Sequence, residues 1–208
     1  MKMTKLEGIQ LLENLKLPTI NKLDIDRILN GQISLKQGLS LRASPRGNNF
    51  DRNVYLPSIH NCSDIDEIRT FIEKNKVYNI FAHYTVKPEV IGSMSKLEHT
   101  QSVVIETYKN FDERKKEIVD NRITIPIIYD RLWISKMDLL KKDENDFKNF
   151  KKVILFLKDI PFNHYDIEYV IQNGEVIFTD LTLPDAKEYQ SYKSFFIERQ
   201  SEDEFERS

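Results

Sequence analysis

Asp166-Ile-Glu-Tyr-Val-Ile-Gln-Asn-Gly-Glu-Val-Ile-Phe-Thr-Asp-Leu-Thr-Leu-Pro184 is the stretch that decides the fold. Two apolar, β-rich runs flank Asn173-Gly174, the strongest short-range hairpin signal a sequence carries. Each run holds a carboxylate, Glu168 in the first and Asp180 in the second. Acidic residues are poor strand formers, so their place in mid-strand points to use. Carboxylates gathered on one face of a sheet suit a hard cation such as Mg2+ held against phosphates. A two-residue Asn173-Gly174 loop would set Glu168 opposite Thr179 and turn Asp180 to the other face. A three-residue loop, Gln172 to Gly174, shifts the pairing by one and makes Glu168 the diagonal neighbour of Asp180. A shared metal site asks for this second register. The competing reading is an exposed hairpin with solvated acids.

At 208 residues the chain has room for one large domain or two small lobes and a substantial core. Its 40% apolar and 31% charged residues describe a folded globular protein rather than a disordered one. A formal net charge of −2 gives no bulk attraction to nucleic acid or to an anionic membrane. Cys62 is the single cysteine, which excludes an intramolecular disulfide and a multi-cysteine zinc site. Met1-Lys-Met-Thr-Lys-Leu-Glu-Gly8 is too polar for a signal-peptide core, and apolar runs such as Val153 to Leu157 are too short to cross a bilayer. The expected location is cytoplasmic.

Outward from the hairpin, the pattern is mixed. Leu6, Ile9, Leu12 and Leu15 make a helical stripe that Pro18 ends. Leu23 to Leu29 reads as a short helix stopped by Asn30-Gly31, and Gly38 to Gly47 as a strand running into a turn. Ser63 is expected to cap a third helix, with Asp66 three residues on. Val77 to Val86 is aromatic and β-branched. Ile91 to Lys96 and Gln101 to Tyr108 read as an antiparallel pair with Leu97 to Thr100 as the turn, and Ile123 to Tyr129 as a further strand. Lys136 to Leu157 contains a helix with Leu139, Leu140, Phe147, Phe150, Ile154 and Leu157 on its apolar side. The expectation is α+β: a helix-containing lobe over 1–79, a sheet-rich lobe over 80–197, and an acidic tail over 198–208.

Arg42 and Arg46 flank Ala43-Ser44-Pro45 at a strand end. Two guanidiniums beside hydroxyls and a turn backbone make a phosphate cradle, because Arg meets phosphate oxygens in pairs; Gly47 and Arg52 could assist. The alternative is a solvated loop with surface ion pairs. No P-loop or dinucleotide Gly motif occurs. Glu106, at the end of the apolar strand Ser102 to Thr107, is a candidate third metal ligand or base, or else a solvated strand end. His60, His83, His99 and His164 lack metal-ligand spacing, and Asp112 to Glu117 reads as a solvated charge run.

Taken in order, these pieces resemble the ATP-binding domain of the pyruvate phosphate dikinase and phosphoenolpyruvate synthase family, in the ATP-grasp superfamily. Ser40-Leu-Arg-Ala-Ser44 is similar to the family's Val-Arg-Ser-Ser strand. Phe81-Ala-His-Tyr-Thr-Val86 and Ile91-Gly-Ser93 resemble its hinge and Ser-Gly-Val segment, and Val103-Val-Ile-Glu106 its apolar strand ending in Glu. Asp166-Ile-Glu-Tyr169, Asn173-Gly174 and Asp180-Leu-Thr-Leu-Pro184 stand where the family has Asp-Ile-Glu-Trp, a Gly turn and Gln-Ala-Arg-Pro. The resemblance implies a two-lobed ATP-grasp-like fold with an antiparallel sheet, flanking helices and ATP between the lobes. It implies Mg2+ on Glu168 and Asp180 and phosphates clamped by Arg42, with Arg46 as a second clamp. Adenine would meet the backbone of the hinge that holds Phe81, His83 and Tyr84. The implied activity is Mg-dependent phosphoryl or nucleotidyl transfer, or ligation, with an acceptor that cannot be named. The family's Gly-Gly-Lys has no clear counterpart in Lys5-Leu-Glu-Gly8, and Thr182 replaces the last motif's Arg or Asn. These departures favour the alternative, a non-catalytic nucleotide-binding or protein-interaction module that retains the fold, whereas the retained Arg42, Glu168 and Asp180 favour an enzyme.

Overall fold

The computed structural model describes residues 4–46, 56–96, 102–108, 110, 111, 114, 119–128, 131, 132, 144–160, 162 and 164–183. Gly47, Arg52, the Leu97 to Thr100 turn, His99, most of the Asp112 to Glu117 run, Leu139, Leu140, Ser191 to Ile197 and the acidic tail lie outside them. The chain forms two compact units. The first comprises residues 2–89 with 170–181, and the second Met1, 90–169 and 182–208. Both sheets are antiparallel and carry flanking helices, an α+β architecture.

In the first unit, α1 (Lys5–Asn14) starts at a reciprocal capping box. Thr4 Oγ1 accepts from Glu7 N at 3.2 Å and Glu7 Oε2 accepts from Thr4 N at 2.6 Å, which satisfies two donors a helix start leaves open. The helix stops at Leu15, Lys16 turns left-handed at φ 57°, and Pro18 cannot continue it. Ile9 and Leu12, one helical turn apart, are fully buried. A short β1 (Lys22–Leu23) leads into α2 (Ile25–Leu29), capped by Asp24. Then come β2 (Leu39–Ser44), β3 (Ser58–Cys62), α3 (Ile65–Lys74) and β4 (Asn79–Tyr84). The cap of α3 is Asp64, not Ser63: its carboxylate accepts from Asp66 N at 2.9 Å. A carboxylate at a helix N-terminus also meets the favourable end of the dipole, which a serine hydroxyl does not.

The sheet order is β1-β4-β2-β3. Leu41 faces Ala82 and Leu39 faces Tyr84. Leu39, Leu41 and Ala82 pack with Ile28, Cys62, Ile68 and Phe71 into the core of this unit. Strand alternation sends Ser40, Arg42, Ser44, Phe81 and His83 to the opposite face, where Phe81 joins Ile9 and Ile20. The segment 170–181 completes the unit. Phe178 N donates to Pro18 O at 2.8 Å, Thr19 Oγ1 donates to Phe178 O at 2.9 Å, and Thr19 and Phe178 form a parallel bridge. A Cβ on Gly8 would lie 2.3 Å from Leu181 O, so only glycine lets α1 approach that strand.

The second unit is built on β5 (Val90–Lys96), β6 (Ser102–Tyr108), β7 (Asn121–Ile128) and β8 (Arg131–Leu132), with α4 (Glu144–Ile154) and a 3-10 turn at Leu157–Asp159. β5 and β6 pair antiparallel, Ser93 opposite Glu106, and β6 and β7 likewise, Glu106 opposite Arg122. β9 (Tyr165–Gln172) and β10 (Glu175–Thr182) run through both units; the order of the larger sheet is β10-β9-β5-β6-β7-β8. Asn173 and Gly174 have φ 51° and 75°, the two-residue primed turn that Asn-Gly favours. Of the two expected loops the shorter one forms, and the three-residue loop that a shared Glu168–Asp180 metal site asks for does not. Burial along β10 falls on Val176 and Phe178 and then on Leu181, so the alternation changes phase between Phe178 and Leu181. No helix among the described residues is long and apolar enough to cross a membrane.

Gly92 sits beneath the Tyr169 ring. A Cβ there would lie 2.2 Å from Tyr169 Cζ and 2.5 Å from Glu106 O. Gly92→Ala should therefore destabilise the fold by about 1–3 kcal/mol, the usual range for overpacking a filled core, as read by the urea midpoint. Adding Tyr169→Leu should recover part of that loss, and a neutral Gly92→Ala would mean the ring is free to move.

Candidate functional site

The polar face of the first unit's sheet holds the candidate site. On it, β2 supplies Ser40, Arg42 and Ser44, and β4 supplies Phe81 and His83, with Arg42 opposite Phe81 and Ser40 opposite His83. Ser40 is satisfied: its hydroxyl lies 3.0 Å from Thr85 Oγ1 and 3.4 Å from His60 Nδ1. Its neighbours are not. Arg42 Nε, Ser44 Oγ and His83 Nε2 are buried with no hydrogen-bond partner. They are all the buried side-chain nitrogens and oxygens lacking a partner among the described residues of this unit. An unsatisfied buried polar group costs about 1–3 kcal/mol, so three on one face call for an explanation.

His83 is 4% exposed. Its Nδ1 lies 2.8 Å from Tyr84 O. A carbonyl only accepts, so Nδ1 holds the proton and Nε2 keeps its lone pair. Burial is the main cause that holds the imidazole at a pKa of about 4, and the positive charges of Arg42, His60 and Lys5 push the same way, while the Tyr84 carbonyl opposes them. The sequence placed adenine on the backbone of this strand. Ala82 and His83, however, pair with β1 on one side and β2 on the other, so their main-chain groups are already engaged. Phe81 packs on Ile9 and Ile20, and its ring stacks on His83 at 6.4 Å between centroids. Tyr84 is half-buried and Arg46 is exposed at the end of the described stretch. On the same unit, Lys5 Nζ meets Asp180 at 3.0 Å.

The second unit carries the other candidates on a sheet face of its own. Glu106 accepts from Arg122 Nε at 2.8 Å and from Tyr108 OH at 2.7 Å, and Arg122 Nη2 adds an ion pair. Burial and the neighbouring Glu106 carboxylate push the Tyr108 phenol up to about 12, against the pull of Ser93 and Arg114. The Arg114 guanidinium lies 5.1 Å over the Tyr108 ring and 3.4 Å from Glu168. Ser95 donates to Asp166 at 2.8 Å. Sequence reasoning missed Lys5, Tyr108, Arg114 and Arg122. Only Arg122 left a signal, a cation on the strand expected to follow the Glu106 strand. Among the described residues, no three His, Cys, Asp or Glu side chains gather as a metal cluster.

The neutral state of His83 makes a prediction about pH. The unfolded chain binds a proton near the ordinary histidine value of 6.5, and the folded chain only near 4. The stability contribution is therefore fully present above pH 6.5 and is lost as the pH falls toward 4. The loss should approach on the order of 3 kcal/mol. In His83→Gln the drop in the urea midpoint between pH 7 and pH 4 should shrink, and an unchanged drop would place the titration elsewhere.

No family model matches the sequence, and no curated protein does. Solved structures do. ACD1 of Ca. Korarchaeum cryptofilum in complex with coenzyme A is 11% identical, with a TM-score of 0.60 over 88% of this chain and 93% of that one. The dinucleotide-forming acetyl-coenzyme A synthetase 1 of the same organism, in complex with coenzyme A, Ca-AMPCP and HgCl+, is 11% identical, with a TM-score of 0.54 over 87% and 92%. N5-carboxyaminoimidazole synthase from Aspergillus clavatus, in complex with ADP and an aminoimidazole ribonucleotide, is 12% identical, with a TM-score of 0.49 over 86% of this chain. This chain spans 43% of that last protein's length. At such identities the likeness concerns the fold alone, and this chain shares its fold with ACD1 and the acetyl-coenzyme A synthetase.

Proposed function

We propose that this chain binds ATP and works as an ATP-grasp-type enzyme of phosphoryl or nucleotidyl transfer or of ligation. The observation that carries this reading is the pair of orphaned groups on β2, Arg42 Nε and Ser44 Oγ, two residues apart on one face. Both can donate to an anion, and a phosphate supplies several charge-assisted acceptors at once. Lys5 and His60 add positive character to the same face through their effect on His83. The fold agrees with the reading, and ACD1 and the acetyl-coenzyme A synthetase are both described with coenzyme A, the latter also with AMPCP.

ATP-grasp chemistry implies Mg2+, and the donors of this chain fit it in kind. Glu168 and Asp180 are hard oxygen ligands that each already draw a cationic side chain, Arg114 and Lys5 respectively. Each of them, Glu168 in the second unit and Asp180 in the first, is a donor that would take such an ion, which would supply neutralisation of phosphate charge. The chain's own residues do the rest in this proposal. Arg42 and Ser44 orient the phosphates, and Glu106 acts as a positioning residue that fixes Arg122 and Tyr108. The second reading, a nucleotide-binding module without catalysis, is favoured by one observation: Lys5 already neutralises Asp180.

Two measurements test this. Arg42→Ala should weaken ATP binding roughly tenfold to a hundredfold, the range for a charge-assisted hydrogen bond, with adenosine binding nearly unchanged; equal losses would make the residue structural. Glu168→Gln and Asp180→Asn should each reduce the gain in ATP affinity that Mg2+ brings, while Glu175→Gln, at the exposed turn, should not. Mg2+ dependence surviving both substitutions would remove the metal from these residues. Release of ADP, AMP or phosphate then separates enzyme from module.

A further inference from the structure

We infer that His83 is a specificity-determining residue whose Nε2 accepts a hydrogen bond from a neutral N–H or O–H on the nucleoside part of the ligand, and is not a phosphate clamp. The inference rests on the nucleotide reading above and deepens it. Three features of the first unit carry it. The first is the fixed tautomer: Tyr84 O takes the Nδ1 proton, so the other nitrogen can only accept unless a second proton is added. The second is the lack of an internal donor. Ser40, directly across the ladder, is engaged with Thr85 and His60, and Nε2 is left with no partner.

The third is electrostatic. Arg42, Lys5 and His60 all act on His83 against a second proton, and all are cationic or can become so. A phosphate oxygen would ask His83 for a proton that this setting resists. An amine or hydroxyl asks only for the lone pair already present. The same cations suit a phosphate, so one face offers donors at Arg42 and Ser44 and an acceptor at His83. That division matches a ligand with an anionic end and a neutral hydrogen-bonding end. Because the β4 main chain is engaged on both sides at His83, such reading here falls to the side chain.

The probes are ATP, purine riboside 5′-triphosphate, which lacks the 6-amino group, and the 2′-deoxy and 3′-deoxy forms of ATP, each titrated calorimetrically in the presence of Mg2+. For wild type, one of the three analogues should bind about tenfold or more weakly than ATP, since a buried acceptor left unpaired discriminates strongly. His83→Leu should bind ATP as weakly as that analogue and should lose the preference. His83→Gln, which retains an accepting oxygen, should recover part of it and guards against a Leu variant that fails to fold. ATP binding at pH 7 in buffers of different ionisation enthalpy should show no net proton uptake. Uptake near one proton would mean that Nε2 is protonated to meet phosphate, and would overturn the inference. So would equal losses for all four ligands in both variants, which would make His83 structural. Wild type that binds ATP without distinguishing any analogue overturns this inference alone, whereas wild type that binds no ATP overturns the nucleotide reading and this inference with it.

Discussion

The strand segment Val170 to Leu181 holds the first unit together across a long stretch of chain. Phe178 exchanges hydrogen bonds with Pro18 and Thr19, a pair separated from it by 159 residues at Thr19. Three residues further, Leu181 lies against Gly8, and Asp180 takes Lys5. The loop-closure entropy of such contacts grows only with the logarithm of the separation, so a few buried side chains suffice to offset it. Phe178 is fully buried, as are Ile9 and Leu12 on the helix that approaches this segment. The position of α1, and with it Lys5 near the polar face, follows from this closure.

That polar face is an unusual use of a central strand. β4 has a partner on each side and an apolar face toward Ile28, Ile68 and Phe71, which normally makes a dry element. The other face of β4 and its neighbour β2 instead keeps a histidine on β4 and an arginine and a serine on β2 short of partners. A folded domain retains only a few such groups, and concentrating them on one rigid ladder fixes their spacing better than a loop would. The second unit also buries orphaned polar atoms, Thr107 Oγ1 and His164 Nδ1 among them, but the sheet face that carries Glu106 is different. There Glu106, Tyr108, Arg122 and Ser93 satisfy one another. The first face keeps side-chain atoms without internal partners, and the Glu106 face is paired within itself.

Much of the fold was legible because the signals were local. Asn173-Gly174 specified its turn, the Leu6, Ile9 and Leu12 stripe specified α1, and the Ile91 to Tyr108 region paired as its alternation implied. The site was legible only in part. Arg42, Glu106, Glu168 and Asp180 stood out because charged residues are rare in apolar strands. Lys5 and Arg114 did not, because each lies in a charge-rich stretch and acquires meaning only from a partner far along the chain. The state of His83 was equally hidden: burial, a carbonyl one residue away and cations on other elements set it. The cap of α3 shows a milder limit, since Ser63 and Asp64 are both good caps and geometry chose the second.

The interleaving of the two units bears on how the protein is made. Residues 2–89 leave the ribosome before their completing segment 170–181 exists. At about 5–20 residues per second, that interval is on the order of several seconds, long enough for local structure but not for closure. The nascent first unit must wait with the place of Phe178 unfilled while the whole of Val90 to Tyr169 is synthesised. The second unit is discontinuous as well, since it takes in residues after 181, so neither unit has all of its chain until the segment 170–181 has been made.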